Sequence, residues 1–150
     1  MKKFRFKLAT VLEVRKSREQ EALVALAAAQ REYQAAQAHK LDLQRQLQES
    51  LLRREKLGHE STGIVVFHTE QDFINGTKAW LIRADQAIVR ANRGVEKALR
   101  SYLHVRKQSR MIETLEETAR REHRLETAKK EQRQMDDLNV MRSRLKEESA

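Results

Sequence analysis

Apolar side chains recur along the first third of the chain at alternating steps of four and three residues. The series covers about seven heptads and keeps one face of a helix turned toward a partner helix. Several positions are polar, which weakens such a seam and fixes its register. The pattern predicts a first helix over about residues 4–57. The positions are Leu8, Leu12, Arg15, Glu19, Ala22, Leu26, Ala29, Tyr33, Ala36, Lys40, Leu43, Leu47, Ser50, Arg54 and Leu57.

The rhythm stops at a glycine-flanked segment, GHESTG, at residues 58–63. Its concentrated turn chemistry predicts a hinge. The β-branched run IVVF at residues 64–67 follows, and we expect an extended connector there, since an isolated strand has no sheet to join. Thr69 is expected to cap the second helix, with Asp72 accepting hydrogen bonds from its free amides. Hinge and connector together then occupy about residues 58–68.

A second periodic stretch predicts a second helix over about residues 69–146. Four of its apolar residues are seven apart, and smaller or aliphatic residues lie between them. The stripe is expected to face the first helix. Its members are Leu81, Ala84, Ile88, Ala91, Val95, Ala98, Tyr102, Val105 and Ile112. The sequence thus predicts an all-α fold, a long antiparallel two-helix coiled coil (an α-hairpin) in which the second helix is longer, forming a single domain over residues 1–150.

The unequal helix lengths predict a projecting end. At 1.5 Å per residue the two helices measure about 80 Å and about 115 Å, so the second overruns the first by about 35 Å. The overrun is expected to begin near Lys129. Its apolar Met135, Leu138 and Met141 then have no partner within the chain. An unpaired apolar stripe on a charged helix indicates that another protein supplies the missing face.

Composition supports long helices rather than a compact globule. The 150 residues include no proline and four glycines, and 35% of them are charged, a mixture typical of coiled coils. No cysteine is present, which rules out disulfides. The net charge of +9 is concentrated in two stretches. Residues 1–20 carry seven bases and two acids, and residues 78–110 carry nine bases and two acids.

Several classes of function find no support in the sequence. Lys7 and Glu13 interrupt the apolar residues of the basic start, which therefore lacks the core of an export signal. No window approaches the roughly 20 apolar residues of a membrane span, so we expect a soluble, cytoplasmic protein. The five histidines show no metal-binding spacing and are expected at the surface. We expect no enzyme activity, no cofactor, no metal and no small-molecule ligand.

Three features together resemble a known family. They are KKFRFKLATVLEVRK at the start, KEQRQMDDL near the end, and the glycine-bearing turn between two long helices. The chain resembles the flagellar export protein FliJ and, behind it, the stalk proteins of type III secretion. The tip segment, which is rich in aromatic residues in that family, is represented here by Phe67, Phe73 and Trp80.

The resemblance implies a stalk that enters the hexameric export ATPase, promotes its assembly and activity, and touches the membrane export gate and export chaperones. Such a protein is cytoplasmic and associates with the inner membrane at the flagellar base only through its partners. Phe73 and Trp80 would then meet the gate. The residues implied for ATPase binding are Phe4, Phe6, Leu8, Leu12, Glu131, Gln132, Met135 and Asp136.

Several alternatives stay open from the sequence. Phe4 and Phe6 cannot share one helical face, so either the helix begins after them or one of them is exposed. Trp80 either packs at the seam edge or contacts a partner. The whole chain could instead be a virulence-type secretion stalk, a self-associating coiled coil, or a nucleic-acid binder that uses the bases of residues 78–110, since clustered bases suffice to neutralise phosphates. Without interleaved aromatic residues, nucleic acid is the weaker prediction.

Overall fold

The computed structural model of the chain describes residues 2–59 and 63–150. Helix α1 spans Ala9–His59 and helix α2 spans Ile64–Glu148. The described residues contain no β-strand. The two helices pack against each other as an α-hairpin in which α2 is the longer helix. This confirms the predicted fold class.

The chain forms two compact units, each built from a part of both helices. One unit is Gln20–His104. Within it, Lys40 Nζ lies 2.6 Å from Asp85 Oδ1, and Arg53 Nε lies 3.2 Å from Glu70 Oε1. The partner on α2 moves toward the start of that helix as the residue on α1 moves toward its end. The two helix segments of this unit are therefore antiparallel.

The other unit consists of Met1–Glu19 together with Val105–Ala150. The Arg15 guanidinium donates a hydrogen bond of 2.6 Å to Gln108 Oε1, and Lys16 Nζ lies 3.8 Å from Glu113 Oε1. An aromatic contact joins residue 4 to residue 123 further along. The helix segments of this unit also run in opposite directions.

Burial along α1 confirms the seam predicted from the sequence. Every predicted position from Leu12 to Leu57 is buried or half-buried. Leu12, Leu26 and Leu43 are the most deeply buried apolar residues of this helix. Leu8 lies before the helix and remains exposed. The alternation of four and three steps therefore holds one face of α1 against α2 for almost its whole length.

The predicted stripe on α2 is confirmed as well. All nine of its positions, from Leu81 to Ile112, are buried or half-buried. The structure adds members that the apolar pattern does not mark. Ile74 is completely buried, as is Ser109, and Thr77 is nearly so. Small polar residues can occupy such positions because they let two helix backbones approach closely.

Polar side chains on the seam pair across it. Arg15 reaches Gln108, Lys40 reaches Asp85, and the Arg54 guanidinium donates a hydrogen bond of 2.9 Å to Gln71 Oε1. Partly exposed hydrogen bonds and ion pairs of this kind contribute about 0–1.5 kcal/mol each. Each pair nevertheless forms at only one alignment of the two helices. Their main effect is to fix the register, which is the effect predicted for polar seam positions.

The start of the first helix differs from the prediction. α1 begins at Ala9 and not near residue 4. The Ala9 amide donates to the Phe6 carbonyl over 3.2 Å, and the Leu12 amide donates to the Leu8 carbonyl over 2.9 Å. Residues 2–6 lie outside the helix, which answers the question that the spacing of Phe4 and Phe6 raised: the helix begins after both.

The predicted connector at residues 64–68 is also wrong. These residues form the first turns of α2, with the Val66 amide donating to the Gly63 carbonyl over 3.1 Å. The run has no sheet to join, so helical hydrogen bonding outweighs the β preference of its side chains. Thr69 is not a cap; its hydroxyl donates to the Val65 carbonyl within the helix. Of the predicted hinge, residues 60–62 lie outside the described residues.

We expect Leu26→Asp to lower the stability of the hairpin by about 3 kcal/mol or more, because it places a carboxylate on the seam. Leu26 is 8% exposed. Thermal unfolding followed by circular dichroism measures the effect.

Val24→Asp is the matched control, since Val24 is 56% exposed on another face of the same turn. Equal losses of helicity in the two variants would contradict the seam assignment.

Candidate functional site

The N-terminal segment, residues 2–8, lies on α2 in a non-helical conformation. Phe4 and Phe6 are half-buried, whereas Lys3, Arg5 and Lys7 between and beside them are exposed. Alternation with a period of two is that of an extended chain, which turns every second side chain to the same side. The sequence KFRFK thus presents aromatic rings to α2 and bases to the outside.

Phe4 is held by a small cluster of side chains on α2. Its ring meets the His123 imidazole edge-on, with centroids 5.4 Å apart. The Arg120 guanidinium carbon lies 5.2 Å from the centre of the same ring. Arg120 is itself oriented by Glu116, whose carboxylate accepts a hydrogen bond of 2.9 Å. A guanidinium above an aromatic face is attractive, so this arrangement fastens the segment to α2.

His123 and Arg120 are residues that the sequence analysis missed. His123 was expected at the surface with the other histidines, and the structure corrects this: it is half-buried beside Phe4. Four-residue spacing from Glu116 to Arg120 is the only local signal for this cluster. Nothing in the sequence links residue 4 to residue 123 until the register of the hairpin is known.

A shallow depression of about 330 Å³ lies just beyond Phe4. Lys2 lines one side, and Glu126, Lys130, Glu131 and Gln134 are among the α2 residues that line the other. The N-terminal segment therefore reaches the level of Glu131. Two of the residues implied for ATPase binding, Phe4 and Glu131, belong to neighbouring parts of one surface.

Beyond this point α2 has no cover within its unit. Its last half-buried residues are Ala119, His123 and Thr127, each four residues after the one before. Every residue from 128 to 150 is exposed. The start of this projecting segment at Ala128 agrees with the overrun expected near Lys129.

The projecting segment carries a stripe of large apolar side chains. Leu138, Met141 and Leu145 are spaced by three and four residues and lie on one face, with Met135 beside them. Between 51% and 64% of each residue is exposed. Val140, also 51% exposed, lies on the opposite side of the helix. We call the four residues Met135, Leu138, Met141 and Leu145 the projecting stripe.

The remaining residues of the implied ATPase-binding set fall into two groups. Glu131, Gln132 and Asp136 are exposed around the base of the projecting stripe. Leu12 is buried in the seam, and Leu8 is 38% exposed. Leu12, like Phe4, thus stabilises this end of the hairpin, and its side chain offers little surface to another protein.

Phe73 and Trp80, implied for gate binding, lie two turns apart on one face of α2. They are 45% and 55% exposed. The Arg83 guanidinium lies 5.0 Å from the centre of the Trp80 ring. More than half of Trp80 is thus exposed, and its neighbour Leu81 lies in the seam. Aromatic residues exposed in pairs are typical of a surface that binds another protein.

These features define a class of protein: a two-helix α-hairpin whose longer helix projects an uncovered apolar stripe. The sequence matches the family described as flagellar FliJ protein over residues 4–148, so the chain belongs to that family. Membership makes it a component of type III protein export, of a structural or regulatory kind.

One solved structure shares the fold. It is CT670 from Chlamydia trachomatis, described as a homologue of YscO. The similarity covers 99% of this chain and 100% of that chain, with a TM-score of 0.56 and 15% sequence identity. At this identity the likeness concerns the fold alone. No curated protein matches the sequence at a significant level.

Neither helix, within the part of the chain that the structure describes, contains a segment long and apolar enough to cross a bilayer.

We expect Phe4→Ala to release the N-terminal segment, because it removes the ring that contacts both His123 and Arg120. The NMR signals of the His123 imidazole should move toward those of a solvent-exposed histidine, while helicity stays within a few per cent of the wild type.

Phe6→Ala is the comparison, since no aromatic or cation contact of Phe6 involves His123. If the two variants shifted the His123 signals equally, the cluster around Phe4 would be wrong.

Proposed function

We propose that the protein is the non-enzymatic stalk of a flagellar type III export apparatus and that its projecting end enters the hexameric export ATPase. The observation that carries the proposal is the projecting stripe, an apolar face left uncovered beside a firmly held N-terminal segment. Membership of the FliJ family supplies the biological setting.

The chemistry of this end suits a protein-lined pore. Met135 and the three other apolar residues of the stripe provide area to bury, and each CH₂ group removed from water contributes about 0.8 kcal/mol. Glu131 and Asp136 beside them provide charged groups for orientation. Lys3, Arg5 and Lys7 point outward from the N-terminal segment and suit acidic walls.

The proposed mechanism follows from a mismatch of symmetry. A single hairpin end has no sixfold axis, so within a six-membered ring it contacts the subunits unequally. Subunits that touch the projecting stripe are then stabilised in a different state from those that do not. Ring assembly and the order of subunit states thereby become linked to the orientation of the stalk.

A second surface on α2 is proposed to bind the membrane export gate. Phe73 and Trp80 present two rings on one face, and Arg83 keeps the Trp80 ring in place. Exposed aromatic and arginine side chains commonly carry much of the binding energy at protein interfaces. Export chaperones are proposed as further partners. The protein would be cytoplasmic and reach the inner membrane only through these contacts.

A stalk of a virulence-type secretion system is the second candidate. The fold shared with CT670, described as a YscO homologue, favours it. Co-purification separates the two: the flagellar candidate predicts recovery of the flagellar export ATPase, and the alternative predicts recovery of the ATPase of an injection system.

We expect Met135→Glu to weaken binding to the export ATPase at least about tenfold, because a carboxylate cannot replace a thioether that becomes buried in the complex. Pull-down with the purified ATPase measures the loss, and circular dichroism should show unchanged helicity, since Met135 is 60% exposed in the isolated chain.

Val140→Glu is the control for this experiment. It adds the same charge five residues away, on the opposite side of the projecting segment, and should bind normally. Normal binding by Met135→Glu would contradict the proposal that this end of α2 enters the ATPase ring.

We expect Trp80→Ala to reduce binding to the cytoplasmic part of the export gate about tenfold, the loss typical of an aromatic residue central to an interface. Titration calorimetry measures it. Ile82→Ala is the matched control, since Ile82 is 63% exposed on another face of the same turn. Equal affinities of the Trp80 and Ile82 variants would place the gate contact elsewhere.

A further inference from the structure

Five exposed bases form a line along α2, within the unit Gln20–His104. With Gln86 in the one gap, their spacing follows steps of three and four residues, so all lie on one face of the helix. The line is about 26 Å long at 1.5 Å per residue. We call it the cationic row: Arg83, Arg90, Arg93, Lys97 and Arg100.

The charge of the cationic row is poorly balanced by the unit around it. Asp85 is engaged by Lys40 from α1, and the Arg100 guanidinium donates to the backbone carbonyl of Glu96 rather than to its carboxylate. The adjoining part of α1, residues 22–42, contains two carboxylates, Glu32 and Asp42, and Asp42 accepts hydrogen bonds from Arg45 and Gln46. Among the described residues, no ion pair involves Arg90, Arg93 or Lys97.

The row also has a shape. A shallow depression of about 460 Å³ is lined by Asp85, Gln86, Val89, Arg90 and Arg93. Val89 is 52% exposed. Val89 supplies an apolar surface, and Arg90 and Arg93 supply guanidinium groups. The depression therefore suits an apolar side chain that has carboxylates as neighbours.

We propose that the cationic row binds an acidic α-helical segment of another protein. A partner helix with Asp or Glu at steps of three and four residues repeats the spacing of the row, and one apolar residue among them fits over Val89. The two helices would pack side by side as in a coiled coil, with ion pairs between the row and the partner in place of leucine contacts. This proposal goes beyond the stalk function. Arg83 also contacts Trp80, whereas the other four residues of the row have no role in the stalk function.

Three other anionic partners, duplex DNA, a nucleic-acid single strand and a bilayer, fit the geometry less well. The major groove of duplex DNA is about 12 Å wide and admits one helix, whereas two packed helices measure about 20 Å across. A single strand needs several aromatic residues for successive bases to stack on, whereas the row has one ring at its end, Trp80, which lies against the Arg83 guanidinium. A helix lying on a bilayer needs a free apolar face, and that face of α2 is packed against α1.

The test uses a synthetic acidic helical peptide of three heptads, with Glu at steps of three and four residues and one central Leu. A scrambled peptide of the same composition is the reference, and fluorescence anisotropy at low salt is the readout. We expect the patterned peptide to bind the full-length chain about tenfold more tightly than the scrambled peptide. Equal binding of the two peptides would overturn the proposal.

The double variant Arg90→Gln with Arg93→Gln should bind the patterned peptide about tenfold or more weakly, since it lacks both guanidinium groups that line the depression. Arg18→Gln with Arg31→Gln is the matched control: it removes two exposed arginines of α1 and should change affinity less than about twofold. An equal loss in both double variants would reduce the effect to net charge and end the proposal.

Charge exchange provides an independent check. Arg90→Glu with Arg93→Glu should bind a peptide in which Lys replaces Glu, and the wild type should not. Tighter binding of a thymidine oligonucleotide or of vesicles containing anionic lipid than of the patterned peptide would assign the row to phosphates and overturn the proposal. No export ATPase is present in these assays, so their outcome is independent of the Met135 experiment.

Discussion

The fold depends on a narrow seam in which two helices keep the same alternation of three and four residues. Among the described residues only five apolar side chains are buried: Leu12, Leu26, Leu43, Ile74 and Ala84. No thick core exists to compensate for a local mismatch. Stability is instead distributed over many half-buried contacts, each weak alone, so the hairpin persists because the two rhythms stay in phase along each unit.

Phase between the helices is set by the polar members of the seam. Leucine and alanine tolerate displacement by a heptad, but Arg15 finds Gln108, and Lys40 finds Asp85, at one alignment only. That alignment decides where the N-terminal segment meets α2 and hence which part of α2 is left uncovered. A few pairs of modest energy thereby determine which face of α2 is left uncovered, and fixing the register is the best-attested role of polar groups in coiled coils.

The sequence predicted the seam well because every turn that repeats the pattern supports the same helix face. It predicted the helix starts poorly, since single residues decide them. Phe4 and Phe6 alternate with bases, and only their contact with α2 shows that they precede the helix. Ile64 and its neighbours have β-favouring side chains, yet they form the first turn of α2 because no sheet competes for them. The contact of His123 with Phe4 can be predicted only when the alignment of the two helices is known, and no local sequence pattern gives that alignment.

The two successive four-residue steps at Ala119, His123 and Thr127 amount to a stutter, an insertion into the heptad repeat that locally unwinds a coiled coil. Had the repeat continued unbroken, the line of the seam would have run through Arg133, Asp137, Val140 and Arg144, of which only Val140 is apolar. The stutter, an insertion of four residues, instead brings Leu138, Met141 and Leu145 onto that line. A helix of another protein packed there would continue the line of the seam beyond the point where α1 begins, with less winding around α2 at the stutter.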